Sequence, residues 1–380
     1  MSASANPDIV DDGLVFLYDT DDGKSYKGEP TTNVIAGTNL INTVGGTYTT
    51  NTTVDGVRIL ENNQVNNSHV MWNGATGFIV TCSAGAYVTV SAEYKTNCTI
   101  RMRFRDNPYD SQYDIDGGNI ATISEQSVDI DTNGEWKRYS LTAQTSTANP
   151  DLWWYIADYR SNNEFGRVEI RNWQVEVKSH ATQFVNGTRS ATQGLIDRTG
   201  NETITLSNLS YDSNAQMSFD GTDDNLRISD PNVGTSFSIE VVIKVDNYSN
   251  GPIFISPNSV GIDHFFRVNS NGTIRANFVE IADSSSDGYT STTAINTGEY
   301  YHVVISKTPS NGTIYVNGVA EDSHTPTLSA AAWTGDWRIG ARWNNTFNLN
   351  GEIPILKVYN QALTAAEVTQ NYNATKSRFV

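Results

Sequence analysis

Short runs of alternating or mostly apolar residues recur along the chain, and they predict β-strands. The clearest run is residues 298–319, GEYYHVVISKTPSNGTIYVNGV, in which two segments rich in β-branched and aromatic residues flank a loop of Pro, Ser, Asn and Gly. The pair Asn317-Gly318 follows, and it favours a two-residue turn with positive φ at both positions. A third strand should therefore leave from Val319, which makes this segment an antiparallel meander.

The N-terminal half of the chain carries a series of short, closely spaced strand patterns. Residues 100–105, IRMRFR, alternate strictly, so three arginines share one face and three apolar residues share the other. One face of that strand must therefore contact water. The other predicted strands cover residues 56–60, 77–81, 86–94, 136–142, 152–157 and 167–177. Antiparallel strands without helical periodicity between them predict a sandwich or jelly roll.

The two ends of the chain differ from this pattern. Residues 13–18, GLVFLY, form a continuous apolar run between Asp and Gly, which is typical of a strand buried on both faces. Residues 1–11 are small, polar and acidic, and they predict a frayed terminus or, alternatively, an assembly arm.

One short helix is predicted near the C-terminus, at residues 364–372. Residues 364–367, TAAE, fit a capping box, and Val368 and Tyr372 are spaced to lie on one helix face. The chain as a whole is therefore expected to be all-β with a single short C-terminal helix.

Composition restricts the partners. The 380 residues are 38% hydrophobic, which is enough for two to three domains with ordinary cores. The chain has 25 Lys and Arg against 42 Asp and Glu, and its formal charge of −17 repels nucleic acid and anionic membranes. No run approaches the ~18 apolar residues of a membrane span, and the N-terminus lacks the features of a classical export signal. We expect neutral, cationic or metal-ion partners, with no nucleic acid and no membrane.

Catalytic signatures are missing from the sequence, which has no Walker-type glycine loop, HExxH, GxSxG or EF-hand loop. Glu169 and Glu176, seven residues apart on one predicted strand, are expected on opposite faces, where they could not flank a glycosidic bond. His302 is expected to be packed in its strand rather than catalytic. Cys82 and Cys98 are too few for a disulfide framework, and two buried thiols are favoured over a disulfide between them. We predict that the protein is not an enzyme.

The C-terminal half resembles a known family. Residues 194–209, GLIDRTGNETITLSNL, and 217–228, MSFDGTDDNLRI, resemble segments of laminin-G-like domains, as do the hairpin at 298–319 and the ending GEIPILKVYNQALTAAEVTQNYNA. The resemblance covers nearly all of residues 194–375. It implies a laminin-G-like, concanavalin A-like β-sandwich.

A second resemblance concerns the N-terminal half. Residues 134–145, GEWKRYSLTAQT, and 167–190, RVEIRNWQVEVKSHATQFVNGTRS, resemble the late strands of jelly-roll carbohydrate-binding modules of families 4 and 9. The version of these modules that they resemble is found in virion proteins of tailed bacteriophages. The implied fold of this half is a β jelly roll.

The order of these segments predicts a split domain. In related phage proteins, the segment similar to residues 13–28, GLVFLYDTDDGKSYKG, directly precedes the one similar to residues 194–209. The resemblance therefore implies an insertion, because exposed loops of a sandwich accept whole domains. The predicted domains are a flexible arm at 1–11, a laminin-G-like sandwich at 12–33 plus 189–380, and an inserted jelly-roll module at 34–188. The strand at 13–18 should then pair with residues 353–359.

The resemblance also implies a function. It indicates a structural protein on the virion surface of a tailed phage, as capsid or neck decoration, an appendage or a fibre tip. Such a protein is made in the bacterial cytoplasm, resides on the virion as a homo-oligomer beside other virion proteins, and displays lectin-like modules toward host-surface glycans. The alternative is a secreted glycan-binding protein or the non-catalytic part of a glycanase.

A calcium site is the one cofactor site that the sequence indicates. Asp220, Asp223 and Asp224 place three carboxylates at one turn, and calcium prefers hard oxygen ligands of this kind. The alternative is a solvated loop in which these Asp side chains cap backbone N–H groups.

Aromatic residues of the inserted module are candidates for glycan binding, because exposed rings stack against the C–H faces of sugars. Alternation places Trp153 and Tyr155 on one face of a strand and Trp154 on the other, and one of these faces must be core. The alternative is that all of them are packed. The candidates are Trp72, Trp153, Trp154, Tyr155 and Tyr159.

Overall fold

The computed structural model describes residues 9–35, 42–44, 50–62, 69–71, 83, 85–105, 127–144, 153–159, 166–212, 215–258, 264–279, 286–325 and 334–379. In chain order its strands begin with β1 (Leu14–Asp19), β2 (Thr31–Thr32), β3 (Asn42–Val44), β4 (Thr50–Val54), β5 (Val57–Asn62), β6 (His69–Met71), β7 (Tyr87–Thr96), β8 (Ile100–Arg105), β9 (Ser127–Ile130), β10 (Lys137–Gln144), β11 (Trp153–Tyr159), β12 (Gly166–Glu176) and β13 (Thr188–Arg189). They continue with β14 (Thr205–Ser207), β15 (Ser210–Tyr211), β16 (Met217–Asp220), β17 (Asn225–Ile228), β18 (Phe237–Asn247), β19 (Ile253–Pro257), β20 (Phe265–Val268), β21 (Thr273–Val279), β22 (Ser286–Ala294), β23 (Tyr300–Lys307), β24 (Gly312–Val316), β25 (Val319–His324), β26 (Trp337–Ile339) and β27 (Asn350–Tyr359). The helix α1 (Ala365–Phe379) follows, so the predicted all-β class with one C-terminal helix is confirmed.

The chain divides into two compact units. The first unit consists of Met1–Glu29, Ser190–Asp212 and Gln216–Val380, and the second consists of Pro30–Arg189 and Ser213–Ala215. The second unit begins earlier than the predicted position 34, because β2 pairs antiparallel with β13 at the other end of the same unit.

The first unit is a sandwich of two antiparallel sheets. One sheet has the order β15-β16-β27-β18-β23-β24-β25, and the other has the order β14-β17-β26-β19-β20-β21-β22. β1 pairs antiparallel with β27, with Leu14 opposite Tyr359 and Asp19 opposite Ile355, so the predicted long-range pairing is confirmed. The Asn317-Gly318 turn between β24 and β25 has positive φ at both residues, as its sequence predicts.

The outer face of the first sheet is covered by other parts of the same unit. Val304, Tyr359 and Val368 form a small apolar cluster with Val10, which is only 8% exposed. This cover explains why β1, β23 and β27 read as continuous apolar runs instead of alternating ones. It also corrects the prediction of a loose arm for residues 9–11, because Val10 packs against the sheet.

Helix α1 is longer than predicted and ends at Phe379 rather than at Tyr372. Its start has the predicted capping box, in which Thr364 N donates to Glu367 Oε2 at 2.7 Å. Its last turn is fixed by contacts that the pattern does not reveal, since both guanidinium NH2 groups of Arg378 donate to Asp19 at 2.7 Å. Among the described residues, no helix combines the length and the apolar character needed to cross a membrane.

The second unit also contains two antiparallel sheets, with the orders β10-β7-β12-β5-β4 and β3-β6-β11-β8-β9. Its core joins apolar residues of both sheets, including Val90 and Ile170 of one and Ile100 and Met102 of the other. Cys98 is buried in this core. The predicted strand at 77–81 and the residues Trp72 and Cys82 lie outside the described part of the chain.

Candidate functional site

The predicted calcium ligands lie together at one turn of the first unit. This turn, residues 220–224, joins β16 to β17 and is called the acidic turn below. One carboxylate oxygen from each of Asp220, Asp223 and Asp224 lies within 4.8 Å of the others. Asp220 is exposed, whereas Asp224 is 1% exposed. The structure therefore brings these three carboxylates close enough to share one ion.

Hydrogen bonds within the acidic turn account for part of this arrangement. Asp224 Oδ2 accepts the backbone N–H of Asp220 at 2.8 Å and that of Ser210 at 3.3 Å. Asp220 Oδ1 accepts Thr222 N at 2.7 Å, as an Asp at the start of a turn commonly does. Asp223 Oδ2 accepts Asn208 Nδ2 at 2.8 Å. The capping alternative thus explains several oxygens of the cluster.

One oxygen of the acidic turn is not explained by capping. Asp224 Oδ1 is buried and has no hydrogen-bond partner. Burial raises the pKa of Asp224, and the nearby Asp220 carboxylate raises it further, although backbone N–H donors oppose both effects. A buried carboxylate oxygen without a donor carries a desolvation penalty that a cation could offset.

A second loop meets the acidic turn and was not predicted as part of a site. Asn348 lies between β26 and β27, and its Nδ2 donates to the backbone oxygen of Thr222. Its Oδ1 is buried without a hydrogen-bond partner, as Asp224 Oδ1 is. The same loop exposes two large rings, Trp343 at 37% and Phe347 at 45%. The only sequence signal was the stretch RWNNTFN, which mixes aromatic and amide residues between two strands.

The predicted aromatic candidates of the second unit lie on β11, which pairs with β8. Trp154 is opposite Phe104, and Tyr159 is opposite Ile100, with a bulge between Tyr155 and Asp158. Ile100 and Met102 are fully buried, so the positions of Trp154 and Tyr159 fall on the core face of this sheet. Because of the bulge, Tyr159 does not share the face of Tyr155, as simple alternation would have placed it.

The opposite face of this sheet combines arginine and aromatic positions. Trp153 is paired with Arg105, and Tyr155 is paired with Arg103. On the other side of β8, Arg103 is paired with Ser127 of β9. Guanidinium groups and aromatic rings are residue types that suit a hydroxyl-rich ligand. The register therefore separates the candidates into Trp153 and Tyr155 on this face and Trp154 and Tyr159 on the core face.

The predicted positions of Glu169 and Glu176 on opposite faces are wrong. Glu169 is opposite Lys95 and Glu176 is opposite Thr89, so a bulge at Asn172 (φ +52°) places both on one face. Their partners are six residues apart on β7, or roughly 20 Å at the usual strand rise, whereas glycosidase carboxylates are at most about 9.5 Å apart. The two carboxylates cannot flank a glycosidic bond because they are too far apart, and not because they lie on opposite faces.

The remaining single-residue expectation concerns His302. His302 is fully buried, and its Nε2 lies 3.0 Å from Glu240 Oε1, so the prediction of a packed histidine is confirmed. Glu176 is fully buried as well, and it accepts hydrogen bonds from Thr31 Oγ1 at 2.5 Å and from Thr182 N at 3.1 Å.

The solved structures to which the chain is similar include the following three, all at low sequence identity. The binding domain of botulinum neurotoxin serotype D is 14% identical with a TM-score of 0.42, over 49% of this chain and 50% of that chain. Domain 4 of the Geobacillus stearothermophilus arabinanase AbnA, in complex with arabinotriose, is 20% identical with a TM-score of 0.37, over 48% of this chain and 93% of that one. A Trypanosoma rangeli sialidase is 15% identical with a TM-score of 0.38, over 48% of this chain and 31% of that one. The chain spans about half the length of the toxin structures that it matches.

No curated protein sequence matches the chain. A family model does match, since residues 220–369 fit the concanavalin A-like lectin/glucanases superfamily. This range runs from the acidic turn to the middle of helix α1 and includes the aromatic stretch RWNNTFN. The first unit therefore has a concanavalin A-like fold and is similar to laminin-G-type domains over this range.

Proposed function

We propose that this protein is a lectin-like module that binds glycans without cleaving them. The observation that carries the proposal is a cluster of carboxylates at one edge of the concanavalin A-like sandwich. There, three carboxylates converge, and the buried Asp224 Oδ1 has no hydrogen-bond partner. A fold of this class is a scaffold on which sites are built, so the argument rests on the residues and not on the fold alone.

Calcium is the proposed cofactor at the acidic turn. The residues present fit the ion, because Asp220, Asp223 and Asp224 supply hard oxygen ligands and Asn348 Oδ1 is a second buried oxygen without a partner. When bound, the ion would supply positive charge and open coordination positions for ligand hydroxyl groups. The chain itself contributes the fixed turn, since Gly221 (φ +84°) and the Asp220–Thr222 hydrogen bond hold these carboxylates on one side.

The proposed glycan contacts in the second unit are Trp153 and Tyr155. Support comes from their register positions beside Arg105 and Arg103, on the face opposite the buried Ile100 and Met102. Trp154 and Tyr159 are proposed as packing residues. Trp72, the fifth sequence candidate, lies outside the described residues and is tested separately.

Absence of hydrolysis is part of the proposal. Glu169 is engaged by Arg167, whose Nε lies 2.9 Å from Glu169 Oε1, and Glu176 is buried among hydrogen-bond donors. A glycosidase acid or nucleophile must instead face the scissile bond at short distance from its partner carboxylate. Release of reducing ends from a polysaccharide, abolished by a single Asp or Glu substitution, would contradict this part.

The proposed setting is the surface of a tailed-phage virion, with other virion proteins as neighbours and a homo-oligomeric assembly. Support comes from the sequence resemblance of residues 13–28, 134–145 and 167–190 to phage proteins. A second candidate is a secreted glycan-binding protein or the non-catalytic part of a glycanase. The superfamily matched by residues 220–369 includes glucanases, which favours keeping this alternative.

A glycan array tests the binding function. The full chain is applied with calcium and with chelator, and the bound glycans are then titrated with Trp153→Ala, Tyr155→Ala and Trp72→Ala. We expect a defined set of glycans to bind, and Trp153→Ala to weaken binding at least tenfold, or about 1.4 kcal/mol. Tyr87→Ala, at an aromatic residue of the same unit that is 47% exposed, is the matched control. No bound glycan under either condition would refute the function.

A further inference from the structure

Two large aromatic rings on one short loop of the first unit are exposed to solvent. Trp343 and Phe347 belong to the stretch of residues 342–348, RWNNTFN, which is called the aromatic loop below. Single exposed apolar residues are ordinary on protein surfaces, whereas two large exposed rings four positions apart on one loop raise the question of an interaction there.

The backbone of the aromatic loop holds Phe347 in an unfavourable conformation. Phe347 has φ +54°, a left-handed value that bulky residues rarely adopt and that costs on the order of 1–3 kcal/mol. Asn345 is also left-handed, at φ +63°, which an asparagine tolerates much better. Glycine at position 347 would relieve this strain. Folding stability alone therefore does not account for a phenylalanine there.

The surrounding hydrogen bonds fix the aromatic loop. Arg342 N donates to Thr346 O at 2.9 Å, and Ile253 N donates to Phe347 O at 2.8 Å. Asn345 Oδ1 accepts Arg338 Nη1 at 3.1 Å. The rings are thus presented by a pre-organised segment, which lowers the entropy lost when a ligand binds.

The polar groups between the rings indicate what the ligand is. Arg342 places its guanidinium carbon 5.9 Å from the centre of the Phe347 ring. Thr346 Oγ1 donates to Asn344 Oδ1 at 2.6 Å, and both residues are exposed. Aromatic faces suit the C–H faces of a pyranose, while amide, hydroxyl and guanidinium groups suit its hydroxyls. An apolar protein partner would instead remove these polar groups from water without offering them hydrogen bonds.

The charge beside the aromatic loop limits the ligand further. Asn348 Nδ2 donates to Thr222 O, so the aromatic loop adjoins the acidic turn with its carboxylates. The guanidinium groups of Arg338 and Arg342 also lie at this loop, so charges of both signs surround it. Neither a strongly anionic nor a strongly cationic ligand is favoured there, which leaves a neutral saccharide.

We propose that the aromatic loop is a glycan subsite in which Trp343 and Phe347 stack on a neutral saccharide. It rests on the proposed glycan-binding function, but it uses residues of the first unit and is separate from the β11 face of the second unit. The ring stacking does not require calcium, so the subsite works in the presence of chelator.

Calorimetry with the full chain in chelator tests the subsite. The probes are four neutral oligosaccharides: cellotetraose, maltotetraose, xylotetraose and N-acetylated chitotetraose. We expect at least one to bind, and expect Trp343→Ala and Phe347→Ala each to raise its Kd at least tenfold. Phe347→Gly should raise the Kd similarly while raising the melting temperature, because it removes the ring and the backbone strain together. Tyr87→Ala, at an exposed aromatic residue of the second unit, is the matched control and should leave this Kd unchanged.

Each other outcome overturns the proposal, and the pattern shows which proposal fails. If the loop variants bind as well as wild type while Trp153→Ala does not, the subsite is wrong but the glycan-binding function stands. If none of the four probes binds, the subsite is wrong, and the glycan array then decides the function separately. If Trp343→Ala dissociates an oligomer without changing the Kd, the loop is a contact between copies of the chain and the subsite is wrong.

Discussion

Glu240 and Asp224 are both buried carboxylates of the first unit, yet their surroundings shift their pKa values in opposite directions. Glu240 Oε1 lies 2.6 Å from Lys357 Nζ and 3.0 Å from His302 Nε2, and its Oε2 accepts Asn371 Nδ2 at 2.5 Å. Burial alone would raise the pKa of Glu240, but Lys357 and His302 lower it to about 2. Burial raises the pKa of Asp224, whose Oδ1 has no partner. Burial is shared, so the partners decide whether a carboxylate stabilises the fold or keeps an oxygen free for the proposed ion.

The Glu240 cluster holds helix α1 and the N-terminal segment against the outer face of the first sheet. Asn371, on helix α1, accepts Val10 N at 2.8 Å and donates to Tyr359 OH at 2.9 Å. Tyr359 OH in turn donates to Val10 O at 3.2 Å. One network therefore joins β18, β23, β27, α1 and the N-terminal segment, which is a structural role. The acidic turn joins only neighbouring loops and strand ends.

The comparison requires that both clusters belong to one sandwich that includes β1, and deletion of β1 should have the largest effect. A fragment starting at Ser190 loses Phe16 and Tyr18, which are fully buried, and exposes the edge of β27 that pairs with β1. We expect it to aggregate or unfold, as judged by circular dichroism and gel filtration.

The matched deletion variant replaces residues 30–189 with a short flexible linker and retains β1. Lys27 N donates to Gly194 O at 2.8 Å, so the two ends to be joined lie close together. Loop length costs only ~0.6 kcal/mol per doubling, so this chain should fold cooperatively. A stable Ser190 fragment, or an unfolded linker variant, would show that the split sandwich is not a folding unit.

Glu240→Gln should destabilise the protein by about 3–5 kcal/mol, because Lys357 would remain buried after losing its carboxylate partner. Urea unfolding measures this change. Glu352→Gln, in the partly exposed pair with Lys244, is the control and should cost at most about 1 kcal/mol. Adding Lys357→Met to Glu240→Gln should recover part of the loss. If Glu240→Gln destabilised the protein less than Glu352→Gln does, the cluster would not have the structural role assigned to it.

The acid side of the pH–stability curve should reflect the same carboxylate. The folded pKa of Glu240 is about 2, below the usual value of 4.5, so its contribution is present above pH 4.5 and is lost as the pH falls toward 2. Wild type should lose stability in that window more steeply than Glu240→Gln. Parallel curves for the two proteins would contradict the low pKa.

Calcium removal should have a smaller effect, which appears only if the acidic turn is a ligand site. A ligand that binds only the native state stabilises it by about 2.7 kcal/mol at 100 times its Kd. Chelator should therefore lower the melting temperature, and Asp223→Asn should lower it similarly in calcium. Unchanged melting in both experiments would leave the acidic turn as a solvated, self-capped loop.

The sequence predicted the features that depend on local pattern. The hairpin of β23 and β24 and the Asn317-Gly318 turn follow from residue types that permit few other structures. The pairing of β1 with β27 followed from resemblance, because no local pattern connects strands so distant in the chain. The three carboxylates of the acidic turn could be predicted because they are close in sequence.

Features that depend on irregular backbone could not be predicted. A bulge at Asn172 moves Glu176 to the face of Glu169, and another bulge moves Tyr159 away from the face of Tyr155. A left-handed phenylalanine such as Phe347 contradicts residue preference, so only the folded chain reveals it. The proposed glycan contacts lie near two of these irregular places, the bulge in β11 and the left-handed Phe347.

A calcium titration of the chelator-treated protein, followed by calorimetry, tests the central claim most directly. We expect one ion to bind at pH 7, and expect binding to weaken as the pH falls, because protonation of Asp224, whose pKa is raised, competes with the ion. Asp224→Asn should abolish binding, yet in chelator it should unfold no more easily than wild type, unlike Glu240→Gln. Absence of binding heat, or equal binding by Asp224→Asn, would contradict the assignment of the acidic turn as a ligand site.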